Sequence, residues 1–193
     1  MFREGGYQPA ANAGHGRFAV VDAVAFRGAV SMVSASHAGE VPALTRSCLE
    51  SAGYAILMAA RPALAHTWME RHQTTDGIKA MRKEFTTGAI REAIIAKDKK
   101  LAELFDRFYQ EAIDLGAHPN IGAVAMSAIL KEDGNDTQFL LNYLHPDSIP
   151  LDMTFKHTAR AGLCALFLFA QIFEARFSLL GLPERLQKLR TNL

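Results

Sequence analysis

The sequence predicts a mainly α-helical bundle with one small β-hairpin inserted before a long C-terminal helix. Along most of the chain, apolar residues recur at intervals of three and four, which is the spacing of one helix face. Residues 132–136 read Glu-Asp-Gly-Asn-Asp, a strong turn signal ahead of a segment rich in strand-tolerant residues. Residues 152–180 are apolar around almost the whole helical circumference. These observations indicate helices that enclose one another and are interrupted once by a hairpin.

The composition is that of a globular protein with room for one hydrophobic core. The chain has 193 residues, of which 49% are hydrophobic and 21% charged. A chain of this length buries a core without help from disulfides. Residues 1–16 carry several glycines and alanines without apolar periodicity, so we expect a flexible N-terminal arm there. Residues 17–193 are then expected to form a single helical domain.

Charge and cysteine content restrict the partners and the compartment. The net charge is +1, so no global field attracts nucleic acid, although a local basic patch stays open. Cys48 and Cys164 are far apart and form no Cys-x-x-Cys pair, which predicts free thiols in a reducing cytoplasm. We see no signal-peptide pattern, and the apolar run 161–170 has about half the length of a membrane span. We therefore expect a cytoplasmic protein without a membrane partner.

Five helices are predicted before the hairpin, and several of their ends carry clear signals. Pro42 is compatible with a first helical turn, Thr74 and Asp98 are cap residues, and Gly116 is a typical helix end. Small residues along the second helix, such as Ala52, allow another helix to approach closely. The predicted helices cover residues 17–36, 39–60, 63–72, 77–97 and 99–115.

The segment after the fifth helix has two interpretations. The sequence His-Pro-Asn at 118–120 interrupts the helical period, 124–131 is moderately apolar, and 137–144 is rich in residues that strands tolerate. This pattern predicts a β-hairpin around the turn at 132–136. A helix that continues through residues 123–131 is the alternative, and the sequence leaves both open.

The closing helix, residues 152–180, is the most apolar segment of the chain. A helix that is apolar nearly all round must be enclosed by other helices or by a second copy, so we expect a homodimer. Gly181 and Pro183 are predicted to end the helix before a short basic tail. Its narrow polar stripe either faces solvent or points into a cavity, where buried charges often mark a site. The stripe consists of Arg160, Gln171, Glu174 and Ser178.

The common catalytic and cofactor motifs are missing from the sequence. It contains no Gly-x-x-x-x-Gly-Lys-Ser/Thr phosphate loop, no Gly-x-Gly-x-x-Gly after a strand and no Gly-x-Ser-x-Gly nucleophile elbow. It also lacks His-Glu-x-x-His and the Glu-x-x-His pairs of two-metal helix bundles. We therefore predict no cofactor and no metal, and we assign no catalytic residue.

Two pairs of polar residues are candidate ligand-binding groups. Arg46 and Glu50 are spaced i,i+4 on the second helix, where they either grip a polar ligand in a cleft or form an ordinary surface ion pair. Asp114 and His118, followed by a Pro-Asn turn, either ligate a metal or transfer protons, or they are helix-terminal groups. No third ligand is evident near Asp114 in sequence, which counts against the metal.

A third candidate comprises Arg61 and His66, which have the Arg-x4-His spacing of some ribonucleases. Glu70 follows His66 by one helical turn. Trp68 and Met69 beside them indicate, as the alternative, an amphipathic helix that covers the core. Basic residues between positions 79 and 100 are interrupted by acidic ones, and no aromatic platform is interleaved with them. This pattern is typical of a solvated helix face rather than of a nucleic-acid stripe.

The order of elements and motifs resembles that of a known family. Three short motifs are followed by a hairpin and a long apolar helix: Arg46-Ser47-x-x-Glu50, Trp68-x-x-Arg71 and His118-Pro119-Asn120. Over residues 40–180 this order is similar to that of uncharacterised bacterial and phage-borne helical proteins near the HEPN superfamily of nucleotide-binding and ribonuclease domains. The binding positions that the resemblance implies are Arg46, Glu50, His118 and Asn120.

The resemblance also implies where a ribonuclease site would lie. The ribonuclease branch of HEPN carries Arg-x4–6-His near the start of a late helix. In this sequence Arg160 has no histidine at that spacing, and the match from Arg61 to His66 lies in an early, short helix. The sequence departs from the ribonuclease pattern at this point.

Taken together, these patterns predict a non-catalytic cytoplasmic binding or interaction module. A HEPN-like ribonuclease is the first alternative, and it would need one arginine and one histidine within reach of the same cleft. A small-ligand sensor is the second alternative, and it would need an enclosed pocket lined by the stripe from Arg160 to Ser178.

Overall fold

The computed structural model describes residues 9–134, 136–141, 143–145 and 147–191. Its elements confirm the predicted fold, mainly α-helical with one two-stranded hairpin ahead of a long helix. In chain order they are α1 (Pro9–Ser34), α2 (Val41–Ala60), α3 (Leu64–Met69), α4 (Thr75–Glu84), α5 (Thr87–Ile95), α6 (Lys99–Ala112), a π-helical turn (Ile113–Ala117), α7 (Ile121–Ser127), β1 (Ala128–Asp133), β2 (Asp136–Leu141), α8 (Ile149–Ile172), α9 (Glu174–Leu179) and α10 (Leu182–Thr191).

Helix α2 lies at the centre of the bundle, because it packs against α1, α5, α6 and α8. Its inward positions include Cys48, Ala52 and Ala55, all fully buried. Gly53 faces Ile90 so closely that a Cβ atom there would lie 2.8 Å from the Ile90 side chain. These small residues allow the neighbouring helices to approach α2 closely, as its sequence predicts.

Helix α1 begins at Pro9 and not at residue 17, where the sequence predicts its start. Proline is compatible with the first turn of a helix, and alanine has the highest helix propensity, so residues 9–16 can prolong the helix. Residues 9–16 are therefore helical where we predicted a flexible arm. The rest of the predicted arm, residues 1–8, lies outside the described part of the chain.

Side-chain caps set the boundaries of the middle helices. Asp98 accepts hydrogen bonds from the backbone N–H groups of Lys100 and Leu101, and Thr74 caps α4 in the same way, both as predicted. Thr86 also acts as a cap, because its Oγ1 accepts a hydrogen bond of 3.2 Å from Ala89 N. The predicted single helix over 77–97 is therefore wrong: it is divided into α4 and α5 at Phe85 and Thr86.

The segment around residue 128 combines the two predicted alternatives. Helix α7 continues through Ser127, and the chain then enters β1, which pairs with β2 in an antiparallel register. Ala128 lies opposite Leu141 and Asp133 lies opposite Asp136. The hairpin is thus confirmed, with a first strand that begins later than the apolar segment does.

Helix α8 is shorter than predicted and buries only one face. It ends at Ile172, and the backbone bends at Phe173, so that Phe173 and Phe177 still pack against the core. Its outer face exposes apolar side chains: Met153 (54% exposed), Phe155 (42%) and Leu166 (39%). The prediction of one helix over 152–180 is therefore wrong, and the other helices of the chain do not cover α8 on all sides; its cover by a second copy stays a prediction.

The end of the chain also differs from the prediction. Gly181 (φ 62°) separates α9 from α10, and Pro183 lies in the first turn of α10 rather than beyond a helix end. The predicted basic tail is thus a helix, whose Leu186 is buried. Within the described residues, no helix has the length and apolar character needed to cross a membrane.

A small polar cluster lies where α1, α2 and α8 meet. The thiol of Cys48 donates a hydrogen bond of 3.0 Å to Asp22 Oδ1, and both residues are buried. Burial raises the pKa of Asp22 to about 6 and, together with the charge of Asp22, raises the pKa of Cys164 to about 12. Both cysteines are free thiols, as predicted.

Candidate ligand site

Arg46 and Glu50 form the half-buried ion pair that their spacing predicts. Arg46 Nε lies 2.9 Å from Glu50 Oε1, and the same oxygen accepts a hydrogen bond of 2.8 Å from the hydroxyl of Tyr109 on α6. The guanidinium of Arg46 also lies over the Tyr109 ring, 5.4 Å from its centroid. The pair is therefore part of a contact between α2 and α6.

The electrostatics of this cluster favour a fixed charge state. Burial by itself would lower the pKa of Arg46, but the hydrogen bond and the negative charge of Glu50 raise it above its ordinary value. Burial and the hydrogen bond to Glu50 raise the pKa of Tyr109. Arg46 therefore stays charged and Tyr109 stays protonated near neutral pH, so the cluster is suited to binding rather than to proton transfer.

His118 and Asn120 lie near this cluster but have other surroundings. Arg46 Nη1 contacts the carbonyl oxygen of Ala117, 3.4 Å away, which places the backbone of His118 beside the pair. The His118 side chain is exposed. Asn120 caps α7: its Oδ1 accepts from Ala123 N at 2.9 Å, and its Nδ2 donates to Ile113 O at 2.6 Å. The side chain of Asn120 is thus engaged in holding the turn.

The predicted relation between Asp114 and His118 is replaced by a local contact. Asp114 is exposed and accepts a hydrogen bond of 2.8 Å from Gln110, one turn earlier on the same helix. Gly116, with φ 126°, interrupts the helical backbone within the π-helical turn, so the helix is broken between Asp114 and His118. This geometry agrees with the helix-terminal interpretation.

Arg61 and His66 are each paired with a different carboxylate. Arg61 Nη1 lies 3.4 Å from Glu84 Oε2, and His66 Nε2 lies 3.0 Å from Glu70 Oε1. The His66 side chain is 77% exposed. The two residues therefore point to separate partners on the surface around α3 and α4.

A hydrogen-bonded chain that the sequence did not reveal, buried at His157 and Thr45 and half-buried at Glu111, joins α2, α6 and α8. His157 Nε2 lies 3.2 Å from Thr45 Oγ1, and His157 Nδ1 lies 3.2 Å from Glu111 Oε2. His157 is 3% exposed and Thr45 is fully buried. The signal that could have found it is a single histidine among the apolar residues of the closing helix.

The contacts of His157 restrict its protonation. Burial lowers its pKa below the ordinary value, although the hydrogen bond to Glu111 partly opposes this shift. For a neutral ring whose Nδ1–H donates to Glu111, Nε2 accepts from Thr45 when the Thr45 hydroxyl, which also lies 3.1 Å from Val41 O and 3.0 Å from Pro42 O, turns its single proton to the ring. Because both ring nitrogens then have partners inside the protein, this histidine is suited to holding helices together rather than to acting as a base.

Two cavities adjoin Arg160, which is half-buried on α8. The first, which we call the His157 cavity, has a volume of about 310 Å³ and mixed charge. It is lined by Glu111, Asp114, Leu115, Met153, Lys156, His157 and Arg160. Its two carboxylates come from α6 and the π-helical turn and its two cations from α8, so their charges largely balance.

The second cavity, the arginine cavity, lies between α6, α8 and α10 and has a volume of about 260 Å³. Three of its lining residues are arginines, and the others are apolar apart from one thiol. They are Leu104, Arg107, Phe108, Arg160, Leu163, Cys164, Phe167 and Arg190. The salt bridges found among the described residues include neither Arg107 nor Arg190. The charged residues that line this cavity are thus all arginines, and most of its other lining residues are apolar.

The predicted polar stripe divides at the end of α8. Gln171 and the α9 residues Glu174 and Ser178 are exposed, whereas Arg160 lines both cavities. Most of the stripe therefore faces solvent, and one member belongs to the candidate site. Arg107 and Arg190 complete that site, and sequence spacing could not link them to Arg160.

No protein-family model, curated protein or solved structure matches the chain. The resemblance to HEPN-related proteins therefore stays a prediction. Over the residues that the structure describes, no group of three or more histidine, cysteine, aspartate or glutamate side chains could hold a metal ion. The arginine cavity is accordingly the candidate ligand site.

Proposed function

We propose that the protein is a non-catalytic binding module for a small organic anion, held in the arginine cavity. The observation that carries the proposal is the presence of three guanidinium groups around one cavity whose other walls are apolar. Guanidinium groups bind carboxylates and phosphates through paired hydrogen bonds. The apolar walls would at the same time bury the body of an amphipathic ligand.

The lining and the volume of the cavity indicate which kind of ligand it could hold. Arg107 and Arg190 are exposed at the rim, and Arg160 is half-buried deeper along α8. Leu104, Leu163 and Phe167 provide apolar contacts. At about 260 Å³ the cavity is slightly smaller than the roughly 300–1,000 Å³ of typical ligand pockets, so the ligand we propose is compact.

The chemistry of the cavity favours binding over reaction. Its one nucleophilic group, the Cys164 thiol, has a pKa raised to about 12 by burial and by the charge of Asp22. A thiol with this pKa is almost entirely protonated at neutral pH and is a poor nucleophile. His157 lines the other cavity, where both its ring nitrogens are engaged.

Thermal unfolding in the presence of matched probes tests the proposal. Octanoate and octyl phosphate carry an anionic head, whereas octanol has the same chain without charge. A ligand that binds only the folded state at 100 times its Kd stabilises it by about 2.7 kcal/mol. We expect octanoate or octyl phosphate to raise the Tm and octanol to leave it nearly unchanged, and the comparison of the two anions identifies the preferred head group.

Two variants assign the effect to this cavity. Arg107→Gln should raise the Kd for the anion about tenfold, which corresponds to a loss of about 1.4 kcal/mol of binding free energy. Arg185→Gln is the matched control, since Arg185 is an exposed arginine of α10 that does not line the cavity. Equal stabilisation by octanol and octanoate, or equal loss in both variants, would contradict the proposal.

A further inference from the structure

The β-hairpin has almost no support from the rest of the molecule. Among the described elements its strands contact each other extensively, whereas its main contact with a helix is a small one between β1 and α7. Every residue of β2 is exposed, including Phe139 (71%), Leu140 (46%) and Leu141 (68%). A two-stranded hairpin by itself is marginally stable in water, and further strands or a packed face are needed to stabilise it.

The outer edge of β2 lacks the features that normally prevent pairing with another strand. In an antiparallel pair, every second residue directs its N–H and C=O away from the partner strand, so β2 has a row of backbone groups without a strand to bind. Natural edge strands are protected by lysine, proline or a bulge. Residues 137–141 of β2 read Thr-Gln-Phe-Leu-Leu and contain none of these residues, and the β1–β2 register is continuous from Ala128 to Asp133.

We propose that β2 pairs with β2 of a second copy of the chain, antiparallel and about a two-fold axis at Phe139, to form a four-stranded sheet. A second copy fits this edge because the strand is complementary to itself. Residues 137–141 carry no charge and are centred on Phe139, so pairing of two identical copies brings no like charges together. The two Asp136 carboxylates lie at opposite ends of the new ladder, about 20 Å apart at roughly 3.3 Å per residue.

The surroundings of β2 extend the same surface. A shallow groove of about 370 Å³ lies between α7 and the hairpin, lined by Pro119, Asn120, Ala123, Val124, Ala128 and Leu141. Ile121 (89% exposed) and Val124 (58%) add apolar area beside it. A second copy would cover this groove together with the strand edge. The proposed interface is independent of the arginine cavity, which lies between α6, α8 and α10.

Light scattering on the full chain tests the interface. We expect a dimer at micromolar concentration for the wild type and a monomer for Phe139→Lys, with the same helical circular dichroism. Val24→Lys is the control, because Val24 is an equally apolar residue on α1 that is 65% exposed and distant in sequence from the hairpin. It should remain dimeric. A monomeric wild type, or a Phe139→Lys variant that stays dimeric, would overturn the proposal.

Disulfide cross-linking tests the register, and it does not depend on disrupting the dimer. In the proposed pairing, residue 139 lies opposite its own copy, at a Cα separation of about 4.5–5.5 Å that a disulfide can bridge. Thr137 would lie opposite residue 141, so the two copies of residue 137 would be about 13 Å apart. Phe139→Cys should therefore form a covalent dimer under mild oxidation, and Thr137→Cys should not. The reverse result, or no cross-link in either variant, would contradict this pairing.

Discussion

The imidazole of His157 lies 3.2 Å from the hydroxyl of Thr45, a contact that joins α8 to α2 across 112 positions of the sequence. Both side chains are buried, and Glu111 extends the chain of hydrogen bonds to α6. In an apolar interior, a polar group that loses its partner costs more than the bond itself contributes. The stability of the bundle should therefore depend on this contact more than on the surface ion pairs.

Replacing Thr45 by valine tests that dependence. The variant keeps the shape of the side chain but leaves His157 Nε2 without its partner, and we expect it to lower the free energy of unfolding by about 1–3 kcal/mol. Thr158→Val is the matched control: like Thr45, the buried Thr158 hydroxyl bonds to a backbone oxygen of its own helix, but among the described residues it makes no hydrogen bond to another helix. Urea unfolding of both variants measures the difference. Equal, small losses of unfolding free energy in the two variants would show that the contact between His157 and Thr45 contributes little to stability.

His157 should also make stability depend on pH. Its pKa is lower in the folded chain than the ordinary 6.5, chiefly because of burial. Its contribution is therefore fully present above pH 6.5 and is lost as the pH falls through the folded pKa, where the unfolded chain binds the proton first. We expect His157→Gln to flatten this part of the curve of unfolding free energy against pH. An unchanged slope relative to the wild type would contradict the assignment.

The contribution of Asp22 to the free energy of unfolding should depend on pH in the opposite direction. Its pKa is raised from 3.8 to about 6 by burial, so its contribution is present below pH 3.8 and is lost as the pH rises through about 6. Asp22→Asn removes the buried charge and should raise the unfolding free energy well above pH 6 by up to about 3 kcal/mol. Asp76→Asn, at a side chain that is 91% exposed, is the control. A stabilisation that is equal at acidic pH would argue against a buried charge as its cause.

Close packing between α1 and α8 leads to another prediction. Gly162 faces the Phe26 ring so closely that an added Cβ would overlap three of its carbons. Gly162→Ala should therefore lower stability by about 1–3 kcal/mol despite the better helix propensity of alanine. At Gly28 of α1 the nearest atom would be 3.5 Å away, an ordinary contact, so Gly28→Ala should raise stability by about 0.5–1 kcal/mol. Thermal unfolding of the two variants should shift in opposite directions, and a shared direction would refute the packing argument.

Much of the fold could be predicted from local patterns, because helix caps and ion pairs act over a few residues. Thr74 and Asp98 cap the helices that follow them, and the i,i+4 pair of Arg46 and Glu50 forms as its spacing indicates. The break at Thr86 was missed because the apolar period continues across it, although a threonine is a cap residue. A pattern of period 3.6 does not by itself show whether one helix or two produce it.

The candidate site could not be predicted in the same way. Arg107, Arg160 and Arg190 lie on three helices, and no spacing in the sequence links them before the helices pack. The polar stripe on the closing helix includes Arg160, but Gln171 is exposed near the end of α8, and Glu174 and Ser178 are exposed on α9 after the bend at Phe173. The role of His157 could not be predicted because its partners, Thr45 and Glu111, belong to distant segments of the sequence.

Calorimetric titration of octanoate into the wild type and into the double variant Arg107→Gln/Arg190→Gln tests the central proposal most directly. The proposal predicts one saturable site per chain in the wild type and a loss of affinity of at least about tenfold, or about 1.4 kcal/mol, in the double variant. The unfolding temperature of the double variant without ligand serves to confirm that it is folded. Octanoate binding of equal strength to both proteins, or no binding to the wild type, would contradict the assignment of the arginine cavity as an anion site.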